Sequence, residues 1–206
     1  MDIPLPLIVM ALEIESQGLF ERAGVAVSFT GIGKVNAAYS LTRLLAEYRL
    51  AQRPLPQVIN FGTVGSRRFA SHTTVACNAF VQCDMDVSGL GFARGVTPFE
   101  ETPPRLEFPV RFPELPAGVC GTADSFVTGA TGLPCDVVDM EAYALAKVCW
   151  REGASFACVK YVTDGADHAA GNDWQANLAA AAEKFLSVYQ QWARPLPVPP
   201  PRSGGG

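Results

Sequence analysis

Apolar residues along this chain fall in short blocks, separated by stretches with helical spacing and punctuated by glycine and proline. The run LPLIVM over 5–10 predicts a buried strand, 13–23 a helix and 25–30 a second strand. Gly31-Ile32-Gly33 turns the chain into 35–50, where Ala38, Leu41, Leu44, Leu45 and Tyr48 recur at helical spacing. Proline punctuates 54–57, a third strand follows over 58–61 and ends at Gly62, and 73–82 carries another. The segment 84–104 is rich in glycine and proline and reads as a long loop with at most a turn of structure, the kind of connection that often carries binding groups. Further strands are expected over 118–122, 137–140 and 155–163, a helix over 141–151, and a final amphipathic helix over 173–192. Residues 195–206 (PLPVPPPRSGGG) read as a disordered tail, which leaves one domain over 1–194. Strand and helix alternate, so the fold class is α/β with a sheet that is at least partly parallel. Ligands of such sheets collect at the carboxyl ends of the strands, which directs attention to Glu13, Glu15, 31–36, 62–66, Met140, Glu141 and 163–167.

Composition narrows the chemistry. With 206 residues and 49% hydrophobic content the chain can bury a sizeable core. A net charge of −4 and the lack of any lysine or arginine cluster point away from nucleic acid and towards small molecules or other subunits. Six cysteines, none in a CxxC pair and most inside apolar runs, read as small buried hydrophobes of a reducing compartment. Two histidines far apart give little stock for a zinc site. The amino terminus has no basic segment ahead of its apolar run, and no apolar run approaches the roughly 20 residues that span a bilayer. The expectation is a cytoplasmic protein without a metal or other cofactor.

Four short motifs carry candidate chemistry. Gly31-Ile32-Gly33-Lys34-Val35-Asn36 looks like a dinucleotide fingerprint, but it lacks the third glycine and follows the second strand, so it reads as a turn that opens a helix. Gly62-Thr63-Val64-Gly65-Ser66 is either an ordinary turn or a place where backbone amides approach a ligand. Asp139-Met140-Glu141 offers a carboxylate at a helix start, which serves either the helix dipole or a sugar diol through charge-assisted hydrogen bonds. Thr163-Asp164 stands at the mouth of the most apolar strand, where Asp164 is either a turn or cap residue or a buried acid able to hold a proton near neutrality. His168 reads as a surface loop residue or, less simply, a base.

Taken in order, these pieces resemble the 5'-methylthioadenosine/S-adenosylhomocysteine nucleosidases of the nucleoside phosphorylase superfamily. The matching segments are Ala11-Leu12-Glu13-Ile14-Glu15, Gly31 through Ala38, Val58 through Gly65, Asp84-Met85-Asp86-Val87, Thr122-Ala123-Asp124-Ser125-Phe126, Val138 through Ala142, and Val162-Thr163-Asp164. The resemblance implies a single-domain three-layer α/β/α fold around a central mixed, twisted sheet. It also implies hydrolysis of a purine nucleoside, with Asp164 as the general acid at purine N7 and Glu15 orienting the attacking water. By the same resemblance Glu141 holds the ribose hydroxyls, Met140 packs beneath the sugar, Phe126 stacks on the base and Val127 adds a backbone contact. Thr63, Val64, Gly65 and Thr163 line the pocket, and Leu90 and Pro98 reach the neighbouring active site of a homodimer.

The chain departs from the family at Phe61 and Val64, which are bulkier than usual near the glycines and predict a narrower pocket. Ser66 stands in place of a glycine, Lys160 in place of an arginine behind Asp164, Thr163 in place of a serine, and the segment 92–120 looks rearranged. A carboxylate at Glu15 would repel phosphate, so water is favoured as nucleophile over phosphate, although Arg67-Arg68 is a basic pair nearby. The alternatives are a nucleoside phosphorylase and a non-catalytic nucleoside-binding protein on the same fold.

Overall fold

The computed structural model describes residues 5–125, 131–165 and 170–193, with the side chains of 170–173 left aside. The order of elements is β1 (Leu7–Met10), α1 (Glu13–Ser16), α2 (Leu19–Arg22), β2 (Val27–Phe29), α3 (Lys34–Leu50), β3 (Val58–Gly65), β4 (Thr74–Gln82), β5 (Arg105–Glu107), β6 (Ala117–Thr122), β7 (Val137–Asp139), α4 (Ala142–Glu152), β8 (Phe156–Asp164) and α5 (Ala170–Trp192). A single turn of 3-10 helix, Ser88–Leu90, lies in the loop after β4.

The eight strands form one mixed sheet. β3 is parallel to β1 and to β8, β8 is antiparallel to β4, and β4 and β7 both run parallel to β6. A single antiparallel pair, Gly65 with Val138, joins β3 back to β7. The path β3, β8, β4, β6, β7 therefore closes on itself, and the closure falls at the carboxyl ends of β3 and β8.

Side-chain alternation along the strands divides the core in two. Val9, Val58, Phe80 and Phe156 pack with Leu41 and Leu45 of α3 and Leu145 and Cys149 of α4. Ile8, Met10, Ile59, Phe61 and Val159 pack with Phe20 of α2 and with Ala181, Phe185 and Val188 of α5. Helices thus cover both faces, which is the three-layer arrangement expected. No helix among the described residues is long and apolar enough to cross a membrane.

Three expectations need correction. The helix over 13–23 is two single-turn helices, because Gln17 and Gly18 both adopt left-handed backbone (φ 49° and 64°) and break it. Gly62 does not end the third strand: β3 runs on to Gly65, with an irregularity in its pairing to β8 between Val64 and Gly65. The turn comes after Ser66, whose hydroxyl accepts from the amides of Arg68 and Phe69. The edge strand β5, which pairs antiparallel to β4, is not among the expected strands, although Leu106 and Phe108 alternate with Arg105 and Glu107 there. The tail over 195–206, together with Asp167 and His168, lies outside the described residues.

Candidate active site

A cavity of about 240 Å³ opens where the sheet closes. Its lining brings together Glu15, Thr63, Val64, Gly65, Met140, Glu141, Thr163 and Asp164, eight of the residues singled out in the sequence. They come from α1, the end of β3, the β7–α4 junction and the end of β8. Leu90 is 73% exposed on the 3-10 turn, and neither it nor Pro98 lines this cavity within one chain. Phe126 and Val127 lie outside the described residues, directly after Ser125, which does line the cavity.

Glu15 is held by the local fold of α1. Its Oε2 accepts from the amides of Ala11 and Leu12, each at 3.2 Å, so the side chain caps the start of its own helix. Its Oε1 accepts from the amide of Thr63 at 3.0 Å and from the Thr63 hydroxyl at 2.9 Å. Four donors thus surround a carboxylate that is 4% exposed. The Thr63 hydroxyl accepts in turn from the indole Nε1 of Trp174 on α5, at 2.9 Å.

Glu141 stands at the N-cap position of α4, but its side chain makes no capping hydrogen bond there and reaches across to the start of α3, where its Oε1 accepts from the amide of Gly33 at 2.8 Å. Gly33 has φ 90°, open to glycine and strained for other residues, and a Cβ there would lie 3.1 Å from Asp124 Oδ1. The Gly31–Gly33 turn thus opens a helix as expected, and its last amide is also spent on the site. Burial pushes the Glu141 carboxyl up to about 7, and the charge of Asp139 adds to that; Lys160 and the Gly33 amide pull the other way. Asp164 ends β8, 3% exposed, and one of its oxygens accepts from the Thr163 hydroxyl at 2.8 Å.

Behind the cavity lining lies a buried charge pair. Lys160 is 1% exposed, and its ammonium pairs with Asp139 Oδ2 at 2.8 Å, not with Asp164. Burial alone would lower the Lys160 pKa, but the Asp139 charge holds it well above the ordinary value. Asp139 also accepts from the Thr122 hydroxyl at 2.6 Å and the Ala142 amide at 2.9 Å. The pair is neutral as a whole, with its ammonium compensated by Asp139. Phe61 is fully buried against Phe20 and Phe185 in the α5-side core, so its bulk does not narrow the cavity as expected; Val64 is the one of the two that lines it.

Ile32, Val138, Asp139 and Trp174 also line the cavity, with Ala11 and Leu12 from the first matching segment. Trp174 carried no signal in the sequence beyond its place on an amphipathic helix, since only the packing of α5 over β3 turns it inward. Arg67 and Arg68 face a different cavity, of about 520 Å³, shared with Thr131 and Cys135, and Arg68 is paired there with Asp136. All six cysteines are free and five are buried, with Cys135 half-buried.

A mixed α/β sheet whose strand ends gather buried carboxylates around one cavity defines an enzyme that takes a small molecule. Its descent is explicit: the chain belongs to the phosphorylase superfamily, whose family model matches residues 16–192. It is similar to the 5'-methylthioadenosine/S-adenosylhomocysteine nucleosidase of Marinomonas sp. (strain MWYL1), 30% identical over 197 residues that span 84% of this chain and 82% of that one. The nucleosidase of the same name from Geobacillus kaustophilus is 31% identical over 208 residues, covering 85% of each chain. The fold is shared with futalosine hydrolase of Helicobacter pylori, at a TM-score of 0.79 and 20% identity, with 92% of this chain and 97% of that one covered.

Proposed function

We propose that this protein hydrolyses the N-glycosidic bond of a purine nucleoside of the methylthioadenosine or S-adenosylhomocysteine type, releasing adenine and the ribose moiety. What carries the reading is the meeting of Glu15, Glu141 and Asp164, far apart in the chain, around one cavity. A purine anion leaves poorly, so the base must be protonated as the bond breaks, and Asp164 is the acid for N7. The sugar becomes oxocarbenium-like, as in other glycoside cleavage. Glu141 accepts from the ribose hydroxyls and stabilises that charge when ionised, with Met140 beneath the sugar. Glu15, already anchored by backbone amides, orients the attacking water. Thr63, Val64, Gly65 and Thr163 bound the sugar and base, and Phe126 and Val127 hold the base. General acid or base assistance of this kind contributes roughly 10²–10⁴-fold.

Water is the nucleophile in this reading. The described residues lining the cavity include no arginine or lysine to hold a phosphate dianion, whereas the Glu15 carboxylate there would repel one. The protein acts as a cytoplasmic homodimer in methionine salvage, with Leu90 and Pro98 covering the 5' substituent in the neighbouring subunit.

The test is adenine release from 5'-methylthioadenosine, followed with and without inorganic phosphate. Release independent of phosphate is expected, and Asp164→Asn lowers kcat by about 10²–10⁴-fold while nucleoside still binds. Release that requires phosphate and yields a sugar phosphate would establish phosphorolysis instead. Binding without any turnover would establish a non-catalytic nucleoside-binding protein.

A further inference from the structure

Trp174 and Asn177 sit one helical turn apart on α5 and face the same way. The Asn177 amide donates to the carbonyl of Thr163 at 2.8 Å, and the Trp174 indole donates to the Thr63 hydroxyl at 2.9 Å. One turn of helix therefore touches the ends of both β8 and β3, the strands that deliver Asp164 and Thr63 to the cavity. The two contacts differ in what they control. Asn177 ties down a backbone carbonyl, whereas Trp174 acts on a hydroxyl that can rotate.

That hydroxyl has one proton and two neighbours. An indole N–H can only donate, so the Thr63 oxygen must accept from it. The Thr63 proton is then left for Glu15 Oε1, which lies 2.9 Å away and already accepts from the Thr63 amide. The acceptor-only Glu15 carboxylate and the donor-only indole thus hold the hydroxyl from both sides, whereas phenylalanine would fill much the same space without holding its rotamer.

We propose that Trp174 is a positioning residue for the hydrolysis: its indole N–H holds the Thr63 hydroxyl in the rotamer that donates to Glu15, and so fixes the carboxylate that orients the attacking water. The role rests on the nucleosidase reading above. Glu15 is fixed for the water and not for the base or sugar, so loss of the indole N–H slows turnover more than it weakens substrate binding.

The experiment is a double-mutant cycle in the full chain, with kcat and KM for adenine release measured on wild type, Trp174→Phe, Thr63→Val and the double variant. Trp174→Phe is expected to lower kcat by up to about tenfold, the worth of one hydrogen bond, with KM changed less than about twofold. In the Thr63→Val background the same substitution has no further effect. An active wild type with an unchanged Trp174→Phe, or an equal loss in the Thr63→Val background, overturns the positioning role and leaves the nucleosidase reading standing. A wild type that releases no base overturns that reading and the positioning role with it. If Trp174→Phe does not fold, solvent exchange of the indole N–H, read by NMR in wild type and Thr63→Val, decides: slow exchange that becomes fast in Thr63→Val supports the contact, and equal exchange overturns it.

Discussion

At the scale of single residues the site is organised by how its carboxyl groups differ. Glu15 takes four donors, whereas Glu141 takes one from Gly33 and faces Asp139. Burial raises Glu141 from 4.5 to about 7. Between those two values the folded protein holds a proton there that the unfolded chain does not. The stability this contributes is complete below pH 4.5 and is lost as pH rises through 7. Glu141→Gln cannot titrate, so the stability of wild type relative to this variant is expected to fall by up to about 3 kcal/mol between pH 4.5 and 8. Urea unfolding of both proteins across that range reads the slope, and parallel curves would contradict it. Lys160→Met removes the partner of a buried Asp139 and leaves its charge uncompensated. A loss of about 3–5 kcal/mol is expected from the urea midpoint, with part of it recovered when Asp139→Asn is added.

At the scale of elements, the site depends on strands that approach more closely than ordinary side chains allow. In β6, a Cβ on Gly121 would meet Cys83 Sγ at 2.5 Å and Cys135 Sγ at 2.7 Å. The absent side chain lets the segments leaving β4 and entering β7 pack over β6, and β7 leads directly to Met140 and Glu141. Gly121→Ala is expected to cost about 1–3 kcal/mol through overpacking. Adding Cys83→Ala and Cys135→Ala should restore most of that, since it shortens the two side chains in the way; a loss that persists in the triple variant would place the cause elsewhere. The two short helices α1 and α2 matter in the same sense. Had 13–23 been one continuous helix, as its residue types suggest, the chain would not turn at Gln17 and Gly18 to bring Phe20 against Phe61 and Tyr189.

At the scale of the whole molecule, exposed apolar side chains include Ile32, which lines the cavity just before α3, Val35 and Tyr39 on α3, and Ile14 on α1. Leu90 is also exposed, on the loop after β4. The homodimer proposed above would cover surface of this kind. A solution mass of two chains is expected from light scattering, and Leu90→Asp is expected to raise KM for a 5'-alkylthio nucleoside more than for adenosine. A monomer with full activity would remove Leu90 and Pro98 from the site.

The order of strands and helices was legible along the chain because alternation and helical spacing are local properties, and each element's buried face follows from them. The approximate places of Glu15, Glu141 and Asp164 were legible too, since each stands at a strand end or helix start. Other features are decided by contacts between segments far apart in the chain. The continuation of β3 through Gly62 to Gly65 depends on pairing with β8, which overrides the turn tendency of two glycines. The partner of Lys160 is Asp139 because β7 and β8 both border β3 where the sheet closes. Trp174 reaches Thr63 only because α5 packs across β3 and β8. Local pattern determines which face of an element is buried; which polar groups meet inside is set by how the elements pack, and that is a property of the assembled fold.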